Sequence, residues 1–217
     1  MPYLLKAHSI AGDVGLVVGD VKTWAGWTGG PGTTPAGKKI DAGIPVGCDS
    51  APRSAQPAWD EPFNGLVPHI FELVYRQYVV SNGMRQVIEE HAPGCCQFFP
   101  FSIDAELADG SPKSFFYMDV IERAQRLDWM LSSTSARSNP HPDGRSVLLI
   151  EPRRNNDGYV FKAAEIRQFS MWREQDVSDA KMIKFVLKGN IYISKALWGE
   201  LNARFPGCLE PIWLREN

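Results

Sequence analysis

The chain has 217 residues, of which 44% are hydrophobic and 22% are charged. This balance is typical of a folded chain with a core and excludes extensive disorder. Lysine and arginine number 23 against 25 acidic residues, so there is no basic excess with which to bind nucleic acid or an anionic membrane surface. The sequence starts without a basic stretch before an apolar core, and no long apolar run follows. We therefore expect a cytoplasmic protein with neither nucleic-acid nor membrane partners.

Cysteine and tryptophan usage adds two further points. The four cysteines, Cys48, Cys95, Cys96 and Cys208, are too few to staple a chain of this length, and we expect them to be thiols that behave as small buried hydrophobes. Seven tryptophans are more than such a chain usually carries. Because tryptophan is favoured both in cores and at interface hot spots, this excess does not separate the two roles.

The amino-terminal third predicts little regular structure. Residues 3–7 and 15–18 are candidate strands, whereas residues 23–61 are dense in Gly, Pro, Thr and Ser and predict a long irregular loop. We therefore expect an amino-terminal part, 1–75, with strands and this loop, and an α+β part, 76–217, that together form one compact unit.

Two stretches 113 residues apart follow one pattern. In each, β-favouring residues precede a serine, Ser81 or Ser194, then a segment with helical spacing that ends at Pro-Gly-Cys, and then an apolar segment at 96–103 or 209–214. The helical apolar positions are Met84, Val87 and Ile88 in the first stretch and Leu197, Leu201 and Phe205 in the second. The pattern predicts a strand-helix-strand unit made twice. Internal duplication would explain it, and so would the general use of Ser and Pro-Gly as helix start and stop signals.

Further strands are predicted between the two units, and they decide the fold class. They lie at 115–120, 147–150, 159–161 and 182–187, separated by turn signals at 109–112, 139–144 and 155–158. Since strands outnumber helices, the sequence predicts an α+β fold on a mixed or antiparallel sheet.

Familiar catalytic motifs occur only in the wrong context. Residues 32–39 resemble a phosphate-binding loop, but Lys39 stands where a hydroxyl should hold magnesium, and neither a buried strand nor a helix flanks them. His141-Pro142-Asp143 spells a co-chaperone tripeptide, which acts from a turn between helices, whereas here a hairpin turn is expected.

The remaining chemistry-bearing residues also favour structural roles. His91 with Cys95 and Cys96 could supply zinc ligands, but Pro-Gly breaks the helix that would aim His91 at the sulfurs. Glu89 and Glu90 fit a solvated helix face better than general acid-base work. We predict no catalytic residue, no metal and no cofactor.

The candidate partner-binding residues are acidic or aromatic. Asp104, Glu106 and Asp109 form an acidic turn, which is either a solvated loop or a patch that attracts a basic partner. Asp128 and Trp129, followed by Ser132, form either a helix terminus that fixes its own backbone or an exposed aromatic anchor beside a charge. Trp172 is a further candidate for this surface.

From residue 79 onward the chain resembles a known family, the bacterial polymorphic-toxin immunity proteins of immunity family eleven, formerly a domain of unknown function. The resemblance covers about two thirds of the chain in short pieces that occur in the right order. The pieces are Val80-Ser81 with its following helix, Gln97-Phe98-Phe99-Pro100, Asp119-Val120, Leu127-Asp128 with Ser132, Tyr159-Val160-Phe161-Lys162, and Ile191-Tyr192-Ile193-Ser194 with Pro211-Ile212. The segment 29–37 matches nothing in the family.

The resemblance implies a cytoplasmic inhibitor made beside a secreted toxin, often one delivered by contact-dependent or type VI secretion. Such a protein binds the toxic domain and blocks its active face without catalysis, and the acidic turn would suit a basic partner such as a nuclease. Two other classes stay open. One is a small hydrolase or transferase with an unrecognised site, and the other is a secretion-system adaptor that docks through 23–61.

Overall fold

The structure is a computed structural model, and it describes residues 2–7, 16–18, 54–57, 67–72, 78–103, 110–128, 130–132, 134–140, 146–152, 159–174, 177–179, 183–185 and 190–217. The helices of these segments are α1 (Asn82–His91), α2 (Ala163–Ile166) and α3 (Lys195–Arg204). The strands are β1 (Tyr3–Leu4), β2 (Leu16–Val18), β3 (Ser54–Pro57), β4 (Ile70–Glu72), β5 (Tyr78–Ser81), β6 (Cys96–Ile103), β7 (Phe115–Val120), β8 (Arg123–Ala124), β9 (Thr134–Pro140), β10 (Ser146–Pro152), β11 (Val160–Phe161), β12 (Met171–Glu174), β13 (Val177–Asp179), β14 (Ile183–Phe185), β15 (Ile191–Ile193), β16 (Ile212–Trp213) and β17 (Arg215–Glu216).

These elements form the predicted α+β fold with mixed and antiparallel sheets. A six-stranded sheet has the order β2-β3-β6-β7-β5-β4, and a five-stranded sheet has the order β16-β1-β15-β12-β8. A four-stranded sheet, β13-β14-β10-β9, and the parallel pair β11-β17 complete the pairings. Most neighbours are antiparallel, whereas β3 and β6, β8 and β12, and β10 and β14 are parallel.

The two predicted strand-helix-strand units have nearly the same local geometry. The hydroxyl oxygen of Ser81 accepts from Met84 N at 3.2 Å, and that of Ser194 accepts from Leu197 N at 3.1 Å. Gly94 and Gly207 both have φ of 76°, in the left-handed region that ends a helix most easily at glycine. The predicted helices are therefore confirmed, while a common ancestry of the two units stays a hypothesis.

The strand β1 takes the same place in the five-stranded sheet that β7 takes in the six-stranded sheet. Tyr3 pairs with Ile193 and Trp213, and Phe116 pairs with Val80 and Pro100. The corresponding residues are 113 positions apart in every case: Tyr3 and Phe116, Ile193 and Val80, and Trp213 and Pro100. The segment near the start of the chain is therefore an inner strand of a sheet built mainly from the end of the chain.

Two buried clusters lie on opposite faces of the five-stranded sheet. Because side chains alternate along a strand, Ile191 and Ile193 join the larger cluster with both long helices, and Tyr192 joins the smaller one. The smaller cluster holds Leu4, Ala124, Leu127, Phe161, Ile166, Trp172, Tyr192 and Leu214. Phe161, Trp172 and Tyr192 form its aromatic centre, with ring centroids 4.9–6.1 Å apart.

Several boundaries differ from the sequence expectation. β3 lies inside 23–61, so the prediction of an irregular loop is wrong for residues 54–57, while most of that segment is outside the described residues. β9 continues through Pro140 and pairs antiparallel with β10, so residues 139 and 140 of the predicted turn belong to a strand. His141-Pro142-Asp143 is outside the described residues, and the described elements on either side of it are strands. The segment 209–214 forms only the short strand β16, with a single bridge from Leu209 to Ala7.

Candidate partner-binding turn

Asp128 fixes the backbone of a single turn that follows β8. Its Oδ1 accepts hydrogen bonds from Met130 N at 3.0 Å and from Leu131 N at 3.2 Å. The amide of Ser132 donates to the carbonyl oxygen of Asp128 at 2.9 Å and closes the turn. Of the two expected roles for Asp128, the structure thus contains the local one, in a turn rather than at the end of a helix. We call Asp128 and residues 130–132 the binding turn.

Ser132 ties the far end of the binding turn to β11. Its buried hydroxyl accepts from Val160 N at 3.0 Å, and Asp128 N donates to Val160 O at 2.7 Å. Both ends of the turn are therefore held by the same residue of a strand that packs in the smaller cluster.

Asn217 holds Asp128 from a third direction. The side-chain amide of Asn217 donates to Asp128 Oδ2 at 2.7 Å, and its backbone N–H donates to Phe161 O at 3.1 Å. Both carboxylate oxygens of Asp128 are therefore engaged within the chain. The charge of Asp128 therefore organises the turn, and its role toward a partner stays a prediction.

The buried carboxylate of Glu174 holds the backbone just before the turn. Its Oε2 accepts from Arg126 N at 2.8 Å and from Leu127 N at 3.2 Å, and its Oε1 accepts from the indole Nε1 of Trp172 at 3.0 Å. Only 7% of Glu174 is exposed. Burial raises the pKa of Glu174 above its ordinary value of 4.5, and the three hydrogen bonds and the charge of Arg126 act against that rise.

Trp172 supports the binding turn from the core and is not exposed on the surface. Its exposed fraction is 0%, because it packs against Phe161 and Tyr192 in the smaller cluster. The expectation that Trp172 lies on a binding surface is therefore wrong. The physical reason is that Trp172 alternates with Met171 and Arg173 on β12 and points to the face of the sheet that the smaller cluster covers.

The binding turn carries two consecutive large apolar residues whose side chains are exposed. Met130 is 92% exposed and Leu131 is 58% exposed. Arg126, two residues before the turn, is part of a surface ion pair: its Nη1 lies 3.1 Å from the carboxylate of Glu165, and Lys162 Nζ lies 3.6 Å from the same carboxylate. Exposed apolar side chains whose backbone amides are already held by hydrogen bonds lose little conformational entropy when a partner buries them.

The other sequence-predicted site residues are outside the described residues. These are Asp104, Glu106, Asp109 and Trp129. Their roles stay predictions. The residues that sequence reasoning missed are Met130, Leu131, Glu174 and Asn217. The only sequence signal for them is the adjacency of Met130 and Leu131 to the predicted Asp128-Trp129 pair, since the contacts of Glu174 and Asn217 join residues 47 and 89 positions apart.

Among the described residues, Ser81 and His69 form an arrangement that resembles a hydrolytic dyad. The distance from His69 Nδ1 to Ser81 Oγ is 2.8 Å, and burial lowers the pKa of His69, which favours a neutral imidazole. However, Ser81 is only 1% exposed, and its oxygen already accepts from Met84 N. A nucleophile must reach its substrate, so this pair serves as a helix cap with a second partner rather than as a dyad open to substrate.

The other titratable groups of the described segments show no further open site. Burial raises the pKa of Cys96 well above its ordinary value, and the thiol lies 3.2 Å from Met171 Sδ. Burial also raises the pKa of Tyr117. Glu89 and Glu90 are exposed and pair with Arg85 and Arg204, which confirms a solvated helix face.

Within the described segments, no three His, Cys, Asp or Glu residues are grouped as metal ligands would be. Nor is any helix of those segments both long and apolar enough to span a membrane.

No family model matches this chain, and no curated protein matches it.

Proposed function

We propose that this chain is a cytoplasmic immunity protein that binds a cognate secreted antibacterial toxin and blocks its active face. The observation that carries the proposal is the binding turn, where Met130 and Leu131 are exposed on a backbone held by Asp128. The resemblance to immunity family eleven from residue 79 onward supports the same class.

The energetics of the binding turn favour a rigid inhibitor. Exposed apolar side chains cost free energy in water, and burying them in a pocket of a partner returns about 25 cal/mol for each Å². Because the turn is fixed before binding, little of that gain is spent on ordering the backbone. A lethal partner requires slow release, and slow release comes from such well-packed, desolvated anchors.

The chemistry of the described residues gives less support to the hydrolase alternative. Its best candidate is Ser81 with His69, and the hydroxyl is buried beneath the start of α1. A fluorophosphonate probe, which labels activated serines, is expected to leave Ser81 unmodified. Labelling of Ser81, lost in the His69→Ala variant, would favour the hydrolase instead.

The direct test uses the toxin domain encoded beside the gene for this chain. Adding the purified chain to that domain is expected to reduce the toxin's own reaction linearly and to abolish it at about one equivalent, as expected for tight occlusion. A toxin domain from an unrelated system is the control and should be unaffected. Absence of a one-to-one complex at micromolar concentrations would contradict the proposal and leave the secretion-system adaptor as the next candidate.

A further inference from the structure

Three hydrogen-bond donors converge on Glu174, and this number restricts which side chain can occupy the position. Two are the backbone amides of Arg126 and Leu127, and the third is the indole of Trp172. A carboxylate accepts through both oxygens and carries no donor. A glutamine has an NH₂ donor on one side, which would then face another donor, and a protonated glutamate accepts more weakly through its hydroxyl oxygen.

We infer that Glu174 is the positioning residue of the binding turn and that it acts in this way only as a carboxylate. The inference rests on the proposed function for what the turn binds, and on the three contacts for how the turn is held. Leu127 is buried in the smaller cluster directly before Asp128. Releasing its amide would therefore free the segment from which the turn starts.

Among the described residues, few charged groups act on the carboxylate of Glu174. Arg126 is the cation whose charge acts on the carboxylate, and its guanidinium is shared with Glu165 on α2. On β12 the neighbouring contact is the neutral indole of Trp172. No further ionisable group acts on Glu174 from these described elements.

The direction of the pH effect follows from linkage. Burial raises the pKa of Glu174 overall, so folding as a whole favours its protonated form. The contact with the two backbone amides has the opposite dependence while Glu174 stays buried, because an N–H donates more strongly to a carboxylate than to a neutral carboxyl group. Burial places the midpoint of this change above 4.5, the ordinary pKa of a glutamate. The binding turn is thus expected to loosen in mild acid while the rest of the fold persists.

Amide hydrogen exchange on the chain alone tests this inference without any toxin. In the Glu174→Gln variant, the amides of Arg126 and Leu127 should exchange about tenfold to a hundredfold faster, as expected when a buried hydrogen bond is lost. The amides of α1 should keep their protection. The Glu165→Gln variant is the matched control, since it removes the other carboxylate near Arg126 but no backbone contact, and it should match the wild type.

A double-variant cycle separates positioning from general damage. In a Trp172→Phe background, glutamine at position 174 can turn its carbonyl to both amides, because its NH₂ group no longer faces the indole donor. The effect of Glu174→Gln on amide exchange should therefore be smaller in that background. An equal effect in both backgrounds would overturn the donor argument.

The wild-type pH profile keeps the inference testable if the Trp172→Phe variant does not fold. Protection of the Arg126 and Leu127 amides, corrected for intrinsic exchange, should fall with acid around a midpoint above 4.5. The inference would be overturned if the protection of these two amides did not change as the pH is lowered, or if the amides of α1 lost protection equally. Failure of the proposed function would look different, since exchange would change as expected while no toxin binds.

Discussion

Trp172 donates its indole N–H to Glu174 at 3.0 Å, two residues along the same strand. Both side chains point to the same face of β12, and both are buried. Through Glu174, this contact links the aromatic centre of the smaller cluster to the segment that leads into the binding turn. A residue of the core thus sets the geometry of a surface 44 positions away along the chain, from Asp128 to Trp172.

Removing the hydroxyl of each capping serine should destabilise the protein by different amounts. Ser194→Ala is expected to cost about 1 kcal/mol of the free energy of unfolding, the usual value of an N-cap. Ser81→Ala should cost about 0.5–1.5 kcal/mol more, because its hydroxyl also bonds His69. Urea denaturation of both variants measures the difference, and equal losses would show that the His69 contact contributes nothing.

His69 should make the stability depend on pH. Burial lowers the pKa of His69 below 6.5, its ordinary value. Between that lowered pKa and pH 6.5, the folded protein therefore binds fewer protons than the unfolded chain. The free energy of unfolding is therefore expected to rise with pH across that window and to fall as the pH drops through it. The His69→Gln variant should lack this component, and a denaturation series from pH 5 to 8 compares the two. An identical slope in both proteins would contradict this assignment.

Glycines at the two ends of α1 should respond in opposite ways to alanine. At Gly83 a Cβ would lie 3.5 Å from Phe205, an ordinary contact, so Gly83→Ala should stabilise the helix by about 0.5–1 kcal/mol. At Gly94 the φ of 76° disfavours any side chain, so Gly94→Ala should cost about 1–2 kcal/mol. Thermal denaturation distinguishes the signs, and stabilisation by both changes would be incompatible with the observed backbone.

Leu5 should be needed for the five-stranded sheet. It is 1% exposed and its amide donates to Ile191 O at 2.9 Å, directly after β1. Leu5→Ala should cost about 2–5 kcal/mol, as for other large-to-small changes in a core. The adjacent Lys6→Ala is the control, because it removes only a partly exposed ion pair with Glu210 and should cost about 1 kcal/mol or less. Similar losses in both variants would argue against β1 as an inner strand.

Local signals explain why parts of the fold were predictable from the sequence. Both long helices depend on a capping serine, apolar residues at helical spacing and a Pro-Gly stop within about a dozen residues, and β6 and β7 are continuous apolar runs. The place of β1 could not be predicted, because its partners are near the opposite end of the sequence. β12 was missed because its sequence, Met-Trp-Arg-Glu, resembles a charged loop although all four residues are buried.

The candidate site was predictable only in part, for the same reason. The role of Asp128 is predictable from the residues next to it, because its contacts to the amides of Met130 and Leu131 are local. Trp172 is predicted at a binding surface but lies in the core, and the sequence does not separate the two because tryptophan is favoured in both places. No neighbouring residue in the sequence signals the role of Glu174, since it binds the backbone amides of Arg126 and Leu127, which are far from it along the chain.

The affinity of the cognate toxin domain for variants of the binding turn tests the central claim most directly. Isothermal titration calorimetry should show that Met130→Ser with Leu131→Ser weakens binding about a hundredfold or more, which corresponds to two interface anchors. Trp213→Ser is the matched control, since Trp213 is also apolar and 53% exposed but lies on β16, and it should leave the affinity unchanged. Wild-type affinity in the folded double variant would contradict the account.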